Sequence, residues 1–446
     1  MESALAPSDA VSGETLERTV LAKITRRLIP FIALIYAFNI LDRTNIGIAS
    51  LTMKKDLAFS DTVYGLGAGM FFIGYFFFEV PSNLILEKIG ARIWIARIMF
   101  TWGAISAGMM FVTTPFSFYA MRFLLGVAEA GFYPGMILYL TYWFPTVQRA
   151  QAVARFVAVS AVVGVLGGPL SGLLLGMDGF WGLKGWQWLF VLEGLPSCLL
   201  GFAVLRYLTD RPEQAEWLRP EEREWLLGRL ARERRHREKH HGLSLAQALK
   251  NRDLLHYCAI FFLYVSVGYG LGFFVPQIFK SQTNWSDQWI ALMAALPGLA
   301  GAVAMQIGAA HSDRTCERKY HMAFGTAVGA VGVVMAALSH NPYFTLLALV
   351  IINLGNGSCQ GPFWAMPTSM LTGAAAAGGI AFINSVGNLG GFVGPYLMGL
   401  LKDATRDYRA GLFTLAALLF GASILSLFAR HDPAQERAAR LIEPDR

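Results

Sequence analysis

Among the ionisable side chains that interrupt otherwise apolar stretches, Asp42, Arg43, Glu79, Arg122, Glu129 and Glu193 are the candidates for chemistry. A charge at mid-membrane costs at least about 2.5 kcal/mol, so it normally faces a partner or a wet cavity and marks a function. In "MRFLLGVAEAGFYPG", Arg122 and Glu129 stand seven residues apart. Two helical turns put them on one face, about 10 Å apart along the axis. A guanidinium there suits a carboxylate gripped by paired hydrogen bonds, and a buried carboxylate suits a proton that comes and goes. In "NILDRTNIG", Arg43 offers a second clamp, which favours a substrate with two charged or polar ends, and Asp42 offers a second proton site. The alternative is that Arg122–Glu129 and Asp42–Arg43 are internal ion pairs that only orient helices.

Tyr75, in "FFIGYFFFEVP", reads as core packing or as a substrate hydrogen bond. Glu79 is expected to pair with a loop arginine, in a structural or gating role, and Glu193 to be structural. The second half carries almost no charge inside its apolar stretches and offers Ser358, Gln360, Trp364, Thr368, Ser369, Asn384 and Asn388 instead. The first half is thus expected to supply electrostatics, and the second hydrogen bonds and shape.

What must position these groups is a set of membrane spans. The chain has 446 residues, is 55% hydrophobic and 15% charged, and has a mean hydropathy of +0.46. Soluble proteins carry about a quarter charged residues, so the composition points to a polytopic membrane protein. Apolar segments of about 20 residues or more lie at 28–49, 62–86, 92–113, 116–142, 150–176 and 187–208, then at 254–279, 287–310, 321–340, 343–371, 376–401 and 411–430. The expected architecture is all-α, twelve transmembrane helices in two six-helix bundles, 28–208 and 254–430. A polar tail (1–27), a linker (209–253) and a second tail (431–446) complete it. Trp217, Trp225, Leu226 and Leu230 recur at helical spacing in the linker, which reads as a basic amphipathic helix at a membrane surface or as a solvated linker face.

The net charge is +7, and Lys and Arg gather in the N-terminal tail (four), the linker and its flanks (twelve) and the tail from Arg430 (four), which places both tails and the linker in the cytoplasm. Such a distribution belongs against anionic lipid and gives no case for nucleic acid. Cys198, Cys258, Cys316 and Cys359 are far apart and show no metal-ligand spacing. The glycine runs at 268–274 and 354–361 lack a strand–loop–helix context, so they read as helix packing rather than phosphate loops. No Walker lysine and no catalytic triad pattern appears, which counts against a pump or an enzyme. The halves also repeat: Glu87 and Asp313 share a 226-residue offset with Pro169 and Pro395. Two such halves with a site between them make an alternating-access transporter.

The chain resembles the anion:cation symporter family of the major facilitator superfamily, and within it bacterial tartrate-transporter-type permeases. The residues that carry the resemblance are "LDRTNIG", "GLGAGMFFIGYFFFEVPSNL", "RFLLGVAEAGFYPG", "YLTYWFP" and "GWQWLFVLEGLP", spread over residues 20–430. The resemblance implies the major facilitator fold and proton-driven uptake of a small organic anion across a bacterial inner membrane, by a monomer that needs no cofactor beyond the proton gradient. It implies that Arg43, Tyr75 and Arg122 contact the anion and that Asp42 and Glu129 carry protons. In the second half, Trp364, Ser369 and Asn388 are the expected contacts, with Asn384 in reserve. Glu87, Arg92, Asp313 and Arg314 fall in the gating loops. Glu87 followed by Lys88 departs from the superfamily's usual Asp there. An exchanger or exporter of organic anions, or a permease for an aromatic acid such as phthalate or hydroxyphenylacetate, would share these features. A non-transporting sensor would need a larger soluble domain than the linker provides.

Overall fold

The structure, a computed structural model, describes residues 7–238, 251–370, 373–431 and 433. Helix α1 (Pro7–Asp56) carries the first span. It runs unbroken through the expected boundary at residue 28, because the Glu, Leu, Arg and Lys residues of the tail are good helix formers. The tail from Pro7 on is therefore an extension of span one. Spans two and three are α2 (Asp61–Ile89) and α3 (Ala91–Gly108).

Span four divides into α4 (Pro115–Glu129) and α5 (Phe132–Trp143). The break follows Glu129 directly, where Ala130 turns extended and Gly131 takes φ +84°, a conformation glycine adopts without steric cost. Helices α6 (Thr146–Leu175) and α7 (Gly185–Tyr207) complete the first bundle. The linker forms α8 (Pro220–Glu238). Trp217 ahead of it stacks on Trp143 at 5.4 Å, and Leu226 is fully buried, so the linker's apolar side packs on the first bundle.

The second bundle comprises α9 (Arg252–Gln282), α10 (Asp287–Thr315), α11 (Lys319–Leu338), α12 (Pro342–Met370), α13 (Gly373–Asn388), α14 (Gly390–Thr405) and α15 (Arg409–Leu427). Among the described residues, eleven of the expected spans are long and apolar enough to cross a membrane. The eleventh in order, 376–401, is divided at Leu389 into α13 and α14, of 16 residues each. The glycine runs lie inside continuous helices and serve close packing, Gly357 against Gly301 and Gly270 against Gly394. Large apolar side chains such as Phe77, Leu173, Leu199 and Phe324 are exposed on the outside, as lipid contact requires and water would not tolerate.

The bundles meet along two long seams, and α1 also packs on α9, with Gly47 against Gly272 and Phe273. Helix α2 runs antiparallel to α13–α14, with Gly65 against Pro395, Gly69 against Phe392, and Glu79 level with Asn384 and Ser385. Helix α6 runs beside α10, with Gly168 and Gly172 against Ala291. At the end remote from the N-terminal extension, three contacts tie the bundles together. Asp403 accepts the backbone N–H of Asp61 (3.1 Å) and Thr62 (2.7 Å), capping α2 from the other bundle. Lys54 donates to Gln277 at 2.6 Å. The Tyr64 hydroxyl lies between the carbonyl oxygens of Phe273 (2.9 Å) and Ile46 (3.2 Å). That end is shut.

Candidate anion and proton site

Helix α4 crosses α2 so closely that a Cβ on Gly126 would run into the Phe71 carbonyl oxygen. This approach presses the side chains of α4 onto the aromatic face of α2. Arg122 lands there fully buried, its guanidinium 5.2 Å from the centre of the Phe71 ring. One Nη donates to the Ala68 carbonyl oxygen at 3.1 Å, while Nε and the other Nη have no partner. A guanidinium has five donors in a fixed fork, and most of this fork is unused. Leaving such a group dry costs several kcal/mol, so the position makes physical sense when an anion completes it.

Arg43 reaches the same ring from α1, 5.1 Å from the centres of both Phe71 and Tyr75. Unlike Arg122 it is paired. Its Nε donates to Glu129 Oε1 at 3.0 Å, and one Nη contacts the same oxygen. The alternative of an Arg122–Glu129 ion pair within span four does not form; the pair runs between spans one and four instead. Glu129 is fully buried, and its other oxygen, Oε2, has no partner. Arg43 keeps about a sixth of its side chain exposed (17%), so it is reachable.

Asp42 does not pair with Arg43. Consecutive helical residues are about 100° apart, and Asp42 points away into the first bundle. There it accepts from Trp102 Nε1 (2.5 Å), Ser106 Oγ (2.8 Å) and Ser197 Oγ (3.2 Å). These donors on α3 and α7 are site residues that sequence spacing missed; none carries a charge to signal it. One turn from Ser197, Glu193 accepts from Ser171 Oγ at 2.7 Å, with Oε2 unpartnered. Ser171 and Asn45 both line a cavity of about 360 Å³ between α1, α6 and the second bundle. The clamp arginines are not among its lining residues; the cavity begins beside Arg43, at Thr44 and Asn45.

The remaining candidates divide. Tyr75 is buried against Phe71 and under Arg43. Asn388 ends α13, half-buried, one residue before the break at Leu389. Trp364 sits in an aromatic cluster, 5.0 Å from Phe261. Asn384 is spoken for: with Ser385 it donates to Glu79, at 3.2 and 2.6 Å. That corrects the expectation of a loop arginine for Glu79, since neutral donors from the other bundle satisfy the buried carboxylate. The side chain of Ser369, like that of Thr368, lies outside the described residues. Of the loop residues, Arg92 engages Asp210, through its backbone N–H at 2.7 Å and its side chain at 3.8 Å. Asp313 pairs with Arg318 at 2.6 Å, and Glu87 and Arg314 are exposed. Tyr269 on α9, packed on Phe72 at 4.4 Å and near enough to interact electrostatically with Arg43, is a second-bundle neighbour that the glycine run around it concealed.

The model of the Major Facilitator Superfamily matches residues 32–395. An Agrobacterium vitis protein named "Putative tartrate transporter" is 49% identical over 95% of this chain and 94% of its own length. The "Quinolone resistance transporter" of Acinetobacter baumannii is 42% identical over 91% of this chain and 94% of its own length. Among solved structures, a bacterial homologue of the human lysosomal transporter Spinster, inward-facing and occupied, superposes with a TM-score of 0.76 at 16% identity, over 90% of this chain and 96% of that one. That likeness concerns the fold. The chain belongs to the Major Facilitator Superfamily and is a multi-pass membrane transporter.

Proposed function

We propose that this transporter takes up a small organic anion, a hydroxy-dicarboxylate such as tartrate or a related sugar acid, together with protons. The observation that carries the reading is the buried, largely unpartnered fork of Arg122 beside an Arg43 already held by Glu129. One carboxylate of the anion completes Arg122. Its other polar end competes with Glu129 for Arg43, under Tyr75, with Asn388 as the proposed contact from the second bundle. A proton arriving on Glu129 removes the charge that holds Arg43, and so frees Arg43 for the anion. Release of that proton restores the Arg43–Glu129 pair and expels the anion. Asp42 is the second proton carrier; its three donors keep it oriented in either protonation state, because both serine hydroxyls can reverse.

Alternating access then breaks the contacts at the shut end while the opposite end closes. The basic end, with the N-terminal extension and α8, lies in the cytoplasm by the distribution of Lys and Arg. The membrane is the bacterial inner membrane, and the protein works as a monomer. The names of relatives at 49% identity agree with the substrate class. A second reading, export or exchange, is favoured by the 42% identical quinolone resistance transporter.

Proteoliposomes separate the two readings. With an inward proton gradient and tartrate outside, the protein is expected to accumulate tartrate above the external concentration. Accumulation that ignores the pH gradient, or that needs a counter-anion inside, would sink proton symport.

A further inference from the structure

At the basic end, the N-terminal extension of α1 lies against the end of α7 and the start of α8. Together they enclose an open cavity of about 870 Å³. Its wall carries Arg18, Lys23, Arg26, Arg27 and Arg219 against a single carboxylate, Glu222. That carboxylate is consumed: Lys23 meets it at 2.8 Å, and Arg219 at 3.0 Å. Burial alone would raise the Glu222 carboxyl, but these hydrogen bonds outweigh it and bring the group down to about 2, so the trio stays paired at neutral pH. Arg18, Arg26 and Arg27 are left, and among the described residues no carboxylate pairs with them.

Arg27 is the built element of this site. Its guanidinium sits 4.8 Å from the Tyr207 ring and 4.9 Å from the Trp217 ring. The Tyr207 hydroxyl donates to the Arg27 carbonyl oxygen at 2.9 Å, and Phe31 packs on Tyr207 with ring centres 4.4 Å apart. The two rings hold the guanidinium in place, yet its buried Nε has no partner. A fixed, incompletely bonded guanidinium flanked by two exposed arginines is a receptor for an anion with several oxygens. Its depth says which kind. Arg27 directly precedes Leu28, where the apolar span begins. Farther along the same two helices, Leu34, Phe202 and Leu205 are exposed apolar side chains that acyl chains can cover.

We propose that this cavity binds the phosphate headgroup of an anionic phospholipid, with Arg27 as the fixed contact and Arg18 and Arg26 as the outer ones. The site is separate from the anion clamp and does not depend on which solute is carried. A bound headgroup would brace the α1 extension, α7 and α8 as one unit at the membrane surface.

The test uses the full-length protein purified in neutral detergent. Thermal unfolding and native mass spectrometry are followed against phosphatidylglycerol, phosphatidylcholine and inorganic phosphate. Phosphatidylglycerol is expected to raise the unfolding temperature and to remain bound, while phosphatidylcholine and phosphate do neither. The double variant Arg18→Gln/Arg26→Gln removes two exposed charges without touching the ring stack, and is expected to weaken phosphatidylglycerol binding by about thirty-fold. Arg27→Gln is the stronger variant, with its cooperative unfolding in detergent without added lipid serving as its check on folding. Equal retention of both lipids would overturn the proposal, as would undiminished phosphatidylglycerol binding by the double variant. A phosphate response equal to that of the lipid would reassign the cavity to soluble anions and overturn it too.

Discussion

Asp403 holds the shut end closed from the second bundle by capping the first turn of α2, and Asp403→Ala removes that cap. Two N–H donors lose a charged acceptor, those of Asp61 at 3.1 Å and Thr62 at 2.7 Å. Hydrogen bonds to a charged group contribute about 1.5–3 kcal/mol each, and a helix cap about 1 kcal/mol in all. The side chain is partly exposed, so screening argues for a combined loss near the cap figure, about 2 kcal/mol at most. That corresponds to roughly a thirty-fold shift from closed to open. The measurement is a distance distribution between spin labels at Lys55 and Thr405, both exposed at that end and on opposite bundles. Asp403→Ala is expected to add a longer-distance population, and Asp403→Asn a smaller one. An unchanged distribution in Asp403→Ala would refute the assignment of Asp403 as a closing contact. Acid supplies a second check. Partial burial pushes the Asp403 carboxyl up, but hydrogen bonds from Thr62, Ser60 and Asp61 outweigh it and hold the group below the usual carboxylate range. The closing contribution is therefore fully present above the ordinary carboxylate pKa and is lost as pH falls through the lowered one. It should stay constant between about pH 5 and pH 8.

Arg122→Met replaces a buried, largely unpartnered cation with an apolar chain of similar length. The substrate-free variant is expected to unfold at a higher temperature, by about 1–4 kcal/mol in stability, and to lose all stabilisation by tartrate; a retained tartrate response would remove Arg122 from the clamp. Glu79→Ala strands the Asn384 amide and the Ser385 hydroxyl on the α2–α13 seam. Amide exchange in α13 should then speed up, reflecting about 1–3 kcal/mol of lost local stability, with Glu79→Gln showing less; equal exchange in all three proteins would show that the seam does not depend on Glu79.

Much of this arrangement is legible in the sequence, because a membrane makes charge placement expensive. Twelve apolar stretches, and charges confined to the first six, were enough to point to Arg43, Arg122 and Glu129. Partner identity is where periodicity stops helping. Arg43 and Glu129 are 86 residues apart and meet only because Gly126 lets α4 approach α2, turning Glu129 toward α1 at the last residue before the helix break. Adjacent numbering suggested an Asp42–Arg43 pair, while helical geometry points the two in different directions. The donors to Asp42 and Glu79 are neutral Trp, Ser and Asn side chains, and these look the same in a sequence whether they serve a carboxylate or fill space.

The central claim is that a proton on Glu129 frees Arg43 for the anion. Glu129→Gln, a permanent mimic of the protonated state, tests it most directly in proteoliposomes. The variant is expected to exchange labelled for unlabelled tartrate across the membrane while failing to accumulate tartrate under an inward proton gradient. If it still concentrates tartrate in response to the pH gradient as the wild type does, Glu129 does not couple the proton to the anion.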